Sequence, residues 1–304
     1  MKLYPGHARK GHATMESTGR CLLRIKEGMN DLSPKEQQVT AYILAHAEEA
    51  ANLQLTELAQ RCGTSVSTVL RLCKSLHFSG YKDFSRSLYS DVHTARPETA
   101  FDDIHPGDDP VTVMNNIYTG SISALKNTVA IMNPEELEKA VSALCAARRI
   151  DFYGAGTSGL VAMDAGNKFS RVNKTTIATI DPHNQILTAL TLSPEDVAVL
   201  VSYSGETADI INVAHAIKSI GATIISITRF GRSPVADLAD IHLYTASTET
   251  LLRSGAMSSR LAQMFVVDIL YASVCSRIFD EVKPHLEKTR QATLKFHTTD
   301  DRRG

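Results

Sequence analysis

A chain of 304 residues, 43% apolar and 21% charged, is long enough for two domains and has the composition to bury a core in each. Its formal net charge of −1 excludes a globally basic protein that coats nucleic acid, so any DNA-binding surface has to be local. The five cysteines (Cys21, Cys62, Cys73, Cys145, Cys275) are odd in number, widely spread and free of CxxC or Cys/His zinc spacing, which points to reduced thiols in a cytoplasmic protein with no metal site.

Residues 1–18 are polar and basic, lack the apolar stretch of a secretory signal, and are expected to be disordered, with Met15 as an alternative start. No uninterrupted apolar run of about 18 residues occurs, so no membrane helix is expected. Helical patterning then fills residues 21–93. Ser33-Pro-Lys-Glu36 offers an N-cap, a proline at the first helical position and a carboxylate three residues after the cap. The helix it opens carries Val39, Ile43 and Leu44 on one face and is expected to run to about residue 50. A second helix is expected over 56–61 with Thr56 as its cap; Gly63 breaks it, and Ser65 caps a third that reaches about residue 76.

Residues 55–74, LTELAQRCGTSVSTVLRLCK, meet the demands of a helix-turn-helix. Ala59 lets the second helix cross closely, Gly63 tolerates positive φ in the turn, and Leu58, Val69 and Leu72 anchor the packing. The outward side carries Thr64, Ser65, Ser67, Thr68, Arg71 and Lys74, short hydroxyls and cations suited to base edges and phosphates in a major groove. From Arg61 to Arg86 five basic residues stand against the single acid Asp83. The same pattern would also serve a helical hairpin used for packing or dimerisation.

Leu32-Ser-Pro-Lys-Glu36, this helix-turn-helix and Leu76-His-Phe-Ser-Gly-Tyr-Lys-Asp-Phe84 together resemble the head of RpiR-type bacterial transcription regulators. Phe78, Gly80, Tyr81 and Phe84 fill that family's leucine, glycine and aromatic pattern, while His77 stands where glycine is more usual. The aromatics are expected to pack rather than to stack on bases. Residues 97–110 then hold three prolines and five acids without Lys or Arg, the mark of an extended linker and a domain boundary.

Beyond it the pattern becomes α/β. Helices are expected over 111–129 and 134–147, and strands over 149–153, 175–180, 197–202, 223–228 and 241–243. Further helices are expected over 159–172, 206–220 and 255–279, the last long, apolar and a candidate dimer interface. The strands are continuously apolar, as in a doubly wound parallel sheet covered on both faces.

Two strand-to-helix turns carry the chemistry. Gly154-Ala-Gly-Thr-Ser-Gly159 satisfies G-x-G-x-x-G, and with Asp181 downstream it admits an NAD(P) reading, although any such turn aims backbone N–H groups and a helix N-terminus at an anion. Val201-Ser-Tyr-Ser-Gly-Glu-Thr207 gathers Ser202, Ser204 and Thr207 around Gly205 at another strand end, which suits a compact phosphate. With Gly156, Thr157 and Ser158 of the first turn, these groups converge where open parallel sheets bind ligands. Simple helix capping would use some of the same residues.

These turns resemble the sugar isomerase (SIS) domain, a phosphosugar-binding fold of isomerases and regulators. The likeness extends through Asp181-Pro-His-Asn-Gln185, Ile227-Thr-Arg-Phe-Gly-Arg-Ser-Pro234, Leu238-Ala-Asp240 and Arg253-Ser-Gly-Ala-Met-Ser-Ser-Arg260. It implies that Ser158, Ser202, Ser204 and Thr207 hold a phosphate, and that Asp181, His183, Glu249 and Arg253 lie nearer the sugar or a partner subunit.

The expected organisation is a disordered segment 1–18, a helix-turn-helix head 19–95, a linker 96–110, a connecting helix 111–137, an SIS domain 138–279 and a tail 280–304. The resemblance implies a cytoplasmic homodimer or homotetramer without cofactor or membrane, binding a double-stranded DNA operator under control of a sugar phosphate. A phosphosugar isomerase using Glu249 and His183, or an NAD(P)-dependent enzyme, are the alternatives.

Overall fold

The computed structural model describes residues 20–94, 107–246 and 256–297; the segment 1–18 and most of the expected linker lie outside these described residues. The head comprises α1 (Arg20–Gly28), a 3-10 turn (Met29–Asp31), α2 (Pro34–Ala45), α3 (Ala47–Asn52), α4 (Leu55–Arg61), α5 (Val66–Ser75) and α6 (Tyr81–Thr94). The start of α2 follows from its capping sequence, with the Ser33 N–H donating to Glu36 Oε2 at 3.0 Å and Pro34 leading the helix. The expected run to residue 50 is interrupted, because His46 at φ −134° and ψ 46° leaves the helical region and α3 starts afresh. Gln54, not Thr56, caps α4: its N–H donates to Glu57 Oε2 at 2.8 Å, which places Thr56 inside the first turn. Ser65 caps α5 as expected, its Oγ accepting from the Thr68 N–H at 3.2 Å.

Ile25, Val39, Ile43, Leu58, Val69, Leu72, Leu76, Phe84 and Leu88 form the buried centre of the head. Each such side chain contributes on the order of 1.5–3 kcal/mol by leaving water. Phe78 and Phe84 meet edge to face at 5.4 Å and the Tyr81 hydroxyl donates to the Leu53 carbonyl, so the aromatics do pack.

The second half comprises α7 (Pro110–Ile131), α8 (Pro134–Ala146), β1 (Arg149–Gly154), α9 (Gly156–Ser170), β2 (Thr175–Thr179), α10 (Pro182–Ala189), β3 (Val197–Val201), α11 (Ala208–Ile220), β4 (Thr223–Arg229), α12 (Pro234–Leu238), β5 (Ile241–Thr245), α13 (Met257–Arg277) and α14 (Phe279–His297). The five strands form one parallel sheet in the order β2-β1-β3-β4-β5. Alternate side chains supply its two faces: Phe152, Val199 and Ile225 pack in one core, Tyr153, Leu200 and Ile224 in the other. The expected tail from 280 is instead helical over α14 as far as residue 297. In register, Gly154 lies opposite Val201, so β1 and β3 end side by side and their turns leave the same edge.

One fully buried acid ties β1 to its neighbours. Asp151 accepts from Arg149 Nε at 2.8 Å, from the Tyr153 hydroxyl at 3.1 Å and from the Ile177 N–H of β2 at 3.0 Å.

Candidate functional site

A cavity of about 310 Å³ opens where β1 and β3 end. Gly156, Thr157 and Ser158, in the first turn of α9, form one wall; Ser202, Tyr203, Ser204 and Thr207, between β3 and α11, form another; Ala256 and Ser259 close it from the start of α13. Helix α9 begins three residues earlier than expected, so Thr157 and Ser158 sit on its N-terminal turn, where backbone N–H groups lack helical acceptors. Gly156 at φ +56° and Gly205 at φ +68° adopt the left-handed conformation that these turns require. No Lys or Arg lines the cavity among the described residues, so an anion there would be held by helix N-termini and hydroxyls rather than by cations.

Several of these hydroxyls are not spent on capping. Thr207 occupies the N-cap position of α11 without a side-chain cap bond. Ser158 donates to Gln263 Oε1 of α13 at 3.2 Å, and Ser204 Oγ accepts from the Glu206 N–H at 3.2 Å. The buried Gln263 Nε2, next to Ser158, has no hydrogen-bond partner among the described residues.

The cavity thus gathers Gly156, Thr157, Ser158, Ser202, Ser204 and Thr207 of the residues expected from sequence. Gly205 stands behind the wall against Ser233, the N-cap of α12. His183 is exposed on the first turn of α10 and does not line the cavity; Asp181 caps that helix, its Oδ1 accepting from the Asn184 N–H at 2.8 Å. Glu249 and Arg253 lie outside the described residues. Tyr203, Ala256 and Ser259 are lining residues that sequence reasoning passed over, although Ser259 falls in the last of the quoted SIS-like motifs. Gln185, from the Asp-Pro-His-Asn-Gln motif, acts structurally: its Nε2 donates to the Gly154 and Thr179 carbonyls, both at 2.7 Å, and ties the ends of β1 and β2 together.

On the head, α5 exposes Ser65, Ser67, Arg71 and Lys74 along with Val66 and Leu70. Thr68 is buried, with its hydroxyl 3.0 Å from Ser65 Oγ and 3.5 Å from Arg71 Nη2, so it orients those groups instead of reaching outward. The half-buried Thr64 hydroxyl has no partner among the described residues.

The head is docked on the β4–β5 side of the sheet. Phe230, after β4, and Ala246, after β5, are buried in the head's own core. Arg24 donates to the Leu76 and His77 carbonyls at 3.1 Å and stands 4.7 Å over the Phe78 ring and 5.8 Å over Phe230. His77, the departure from the family pattern, has φ +57°, the conformation for which glycine is usual after a helix. Its ring packs against Phe230 at 5.5 Å and Tyr244 at 5.3 Å, contacts that glycine would forgo. Burial in the same region pushes the Glu27 carboxyl up to about 7, with Arg229 opposing the shift.

Comparison with known proteins agrees with both halves. The family model of the helix-turn-helix domain of the rpiR family matches residues 19–94, and that of the SIS domain matches residues 143–273. An uncharacterized HTH-type transcriptional regulator of Caldanaerobacter subterraneus is 38% identical over 88% of this chain and 94% of its own length. The HTH-type transcriptional regulator HexR of Pseudomonas aeruginosa is 30% identical over 90% of this chain and 95% of its own. Among solved structures, Vibrio vulnificus NanR complexed with ManNAc-6P superposes with a TM-score of 0.58 at 26% identity, covering 91% of this chain and 98% of that one.

Proposed function

Because the chain belongs to the rpiR family of helix-turn-helix transcriptional regulators that carry an SIS domain, we propose that it binds operator DNA through α5 and that a phosphorylated sugar in the β1–β3 cavity controls this binding. The observation that carries the reading is the convergence of two hydroxyl-rich turns and the N-terminus of α9 on one cavity, in a chain whose head is docked on the same sheet. NanR, a neighbour similar over nearly the whole chain, was solved with a sugar phosphate, which supports the choice of ligand class. Ser158, Ser202, Ser204 and Thr207 would hold the phosphate, with Gly156 and Thr157 presenting backbone N–H groups. Ligand and DNA then influence each other by their differential affinities for two arrangements of the head.

We infer a binding role without turnover: the relatives named above, similar over most of the chain, are HTH-type transcriptional regulators, and His183 is not among the residues that line the cavity. The hydroxyl-lined pocket likewise favours a compact phosphate over a dinucleotide. A palindromic operator calls for at least two copies of the chain. We place their contact on α7 and α9, where Met114, Tyr118 and Leu160 are exposed, since α13 turns Val266, Val267, Leu270 and Val274 into its own protomer.

A thermal-shift screen of the full chain against hexose 6-phosphates and N-acetylmannosamine 6-phosphate tests the sensor. One sugar is expected to stabilise the protein, and Ser204→Ala to weaken its binding by about 1.5–3 kcal/mol, the worth of a hydrogen bond to a charged group. An unchanged affinity in that variant would remove Ser204 from the site. On the head, Arg71→Ala is expected to weaken operator binding by about 1–3 kcal/mol and to lower the magnitude of the salt slope by about 1. Gel shifts at several salt concentrations check this, with Ser67→Ala as the comparison that leaves the slope alone.

A further inference from the structure

Arg229 closes β4 and faces both halves of the molecule. On the sensor side its backbone N–H donates to the Tyr203 carbonyl at 2.7 Å, within the loop 202–207 that lines the cavity. Its guanidinium lies 4.0 Å from Glu206 of the same loop. On the head side the guanidinium lies 3.4 Å from the Asp31 carboxylate. Glu27 of α1 adds a third acid, one whose charged form Arg229 favours. The side chains of Arg229 and Asp31 are only 22% and 21% exposed, so their pairing is shielded from salt far better than an ordinary surface pair.

The backbone around Arg229 is equally committed to both sides. The Ser202 N–H donates to the Ile227 carbonyl at 3.1 Å, and the Val235 N–H to the Gly205 carbonyl at 3.1 Å, which bracket the β4–α12 turn against the loop. Across that turn, a Cβ placed on Gly231 would stand 2.3 Å from Asp31 Oδ2, so the head's carboxylate rests directly on the turn's backbone. The turn therefore has the cavity loop on one side and the head on the other.

Ligand entry would alter the balance at this point. Ser204 Oγ now accepts the Glu206 N–H, but phosphate oxygens are stronger acceptors and would compete for that donor. A phosphate monoester also brings a charge of roughly −1.5 to −2 to the loop. A single guanidinium cannot stay centred between Asp31 and a loop that has become more negative.

Resting on the phosphosugar reading above, we propose that Arg229 is the positioning residue that couples the cavity to the head. Occupancy of the loop 202–207 draws its guanidinium from Asp31 toward Glu206, which loosens the head's seat on the β4–α12 turn and changes how α5 is presented to DNA. Arg229 touches neither sugar nor DNA in this scheme, since it neither lines the cavity nor belongs to the helix-turn-helix.

The test uses the full chain, a DNA site enriched from random duplexes by in vitro selection, and whichever sugar phosphate of the thermal-shift panel stabilises the protein most. Operator affinity is measured with and without that sugar for wild type, Arg229→Gln, Arg229→Lys and Asp31→Asn. Wild type is expected to change affinity by about tenfold or more on adding sugar. Arg229→Gln and Asp31→Asn are expected to bring that ratio within about twofold by moving the sugar-free DNA affinity to within about threefold of the sugar-bound wild-type value, while sugar affinity is no weaker than that of wild type. Arg229→Lys, which keeps the charge, is expected to retain part of the response. A residue that merely supported the fold would lower both affinities and could not remove their linkage alone. A wild-type ratio preserved in Arg229→Gln overturns the coupling role and leaves the phosphosugar reading standing. A wild-type ratio of one, or a panel without a binder, overturns both.

Discussion

Asp151→Ala is expected to lower the unfolding free energy by about 3–5 kcal/mol, the range seen when one partner of a buried ion pair is deleted. The carboxylate is fully buried, and the Arg149 side chain that pairs with it is only 12% exposed. Removing Asp151 leaves a largely buried guanidinium with the Thr191 hydroxyl as its remaining partner, strands the Ile177 N–H and takes an acceptor from the Tyr153 hydroxyl at the β1–β2 junction. Typical domains are stable by about 5–15 kcal/mol, so the variant would sit near its folding threshold at room temperature. Urea titration followed by far-ultraviolet circular dichroism checks this. Arg148→Ala is the contrast: Arg148 is 57% exposed and can be removed while the Ser193 N–H and hydroxyl still donate to Oδ2 of the buried Asp196, so its loss is expected to stay within about 1 kcal/mol. Equal losses in the two variants would show that burial does not govern these pairs.

Gly205→Ala is expected to cost about 2–5 kcal/mol and to abolish sugar-phosphate binding, because two separate penalties add. The φ of +68° costs a side-chain-bearing residue roughly 1–2 kcal/mol. The new methyl would also lie 2.1 Å from Ser233 Oγ and 2.5 Å from Ser233 Cβ, and overpacking of this kind costs about 1–3 kcal/mol. Ser233 cannot step aside freely, because its hydroxyl caps α12 through the Ala236 N–H. Relief must come from the loop 202–207, which carries Ser202 and Ser204 away from the cavity. Gly107→Ala separates the two penalties: Gly107 has φ +89°, and a methyl added there would meet no atom of the described residues within 4 Å, so it is expected to report the backbone cost alone. A Gly205→Ala protein no less stable than Gly107→Ala, and still able to bind sugar, would show that the loop yields where the packing says it should not.

The features legible in the sequence are those set by neighbouring residues. Ser33, Pro34 and Glu36 open α2, and Ser65 caps α5, because a cap depends only on groups three or four positions apart. The strands were legible as apolar runs because parallel strands are buried on both faces, and the two hydroxyl-rich turns because each is one continuous segment. The misread cap at Thr56 was a contest between two plausible starts two residues apart, decided by the Glu57 carboxylate reaching back to Gln54. α14 escaped notice because Pro284 and a dense charge pattern resemble a tail, although Val282 is buried in the sheet's core.

What the sequence withheld is the seam between the halves. Asp31 and Arg229 are separated by 198 positions, and nothing near either residue marks it as a contact. His77 did stand out as a departure from the family pattern, but only the aromatic neighbours Phe230 and Tyr244 explain why a histidine is held in a glycine-like conformation. The cavity was similarly half visible. Its walls from α9 and the loop 202–207 could be read, while the contribution of Ser259 depends on where α13 enters, a matter of tertiary placement.

The burial of Phe230 and Ala246 inside the head's apolar cluster has an evolutionary consequence. A regulator assembled like beads on a string could acquire a new operator by trading its DNA-reading module for that of a relative. Here such an exchange would leave Phe230 without its socket and Arg229 without its counter-ion unless the incoming module carried the matching surface. If α5 reads the operator as proposed, new specificities are reached most readily by substitutions at its exposed residues Ser67, Arg71 and Lys74, with the seam left intact.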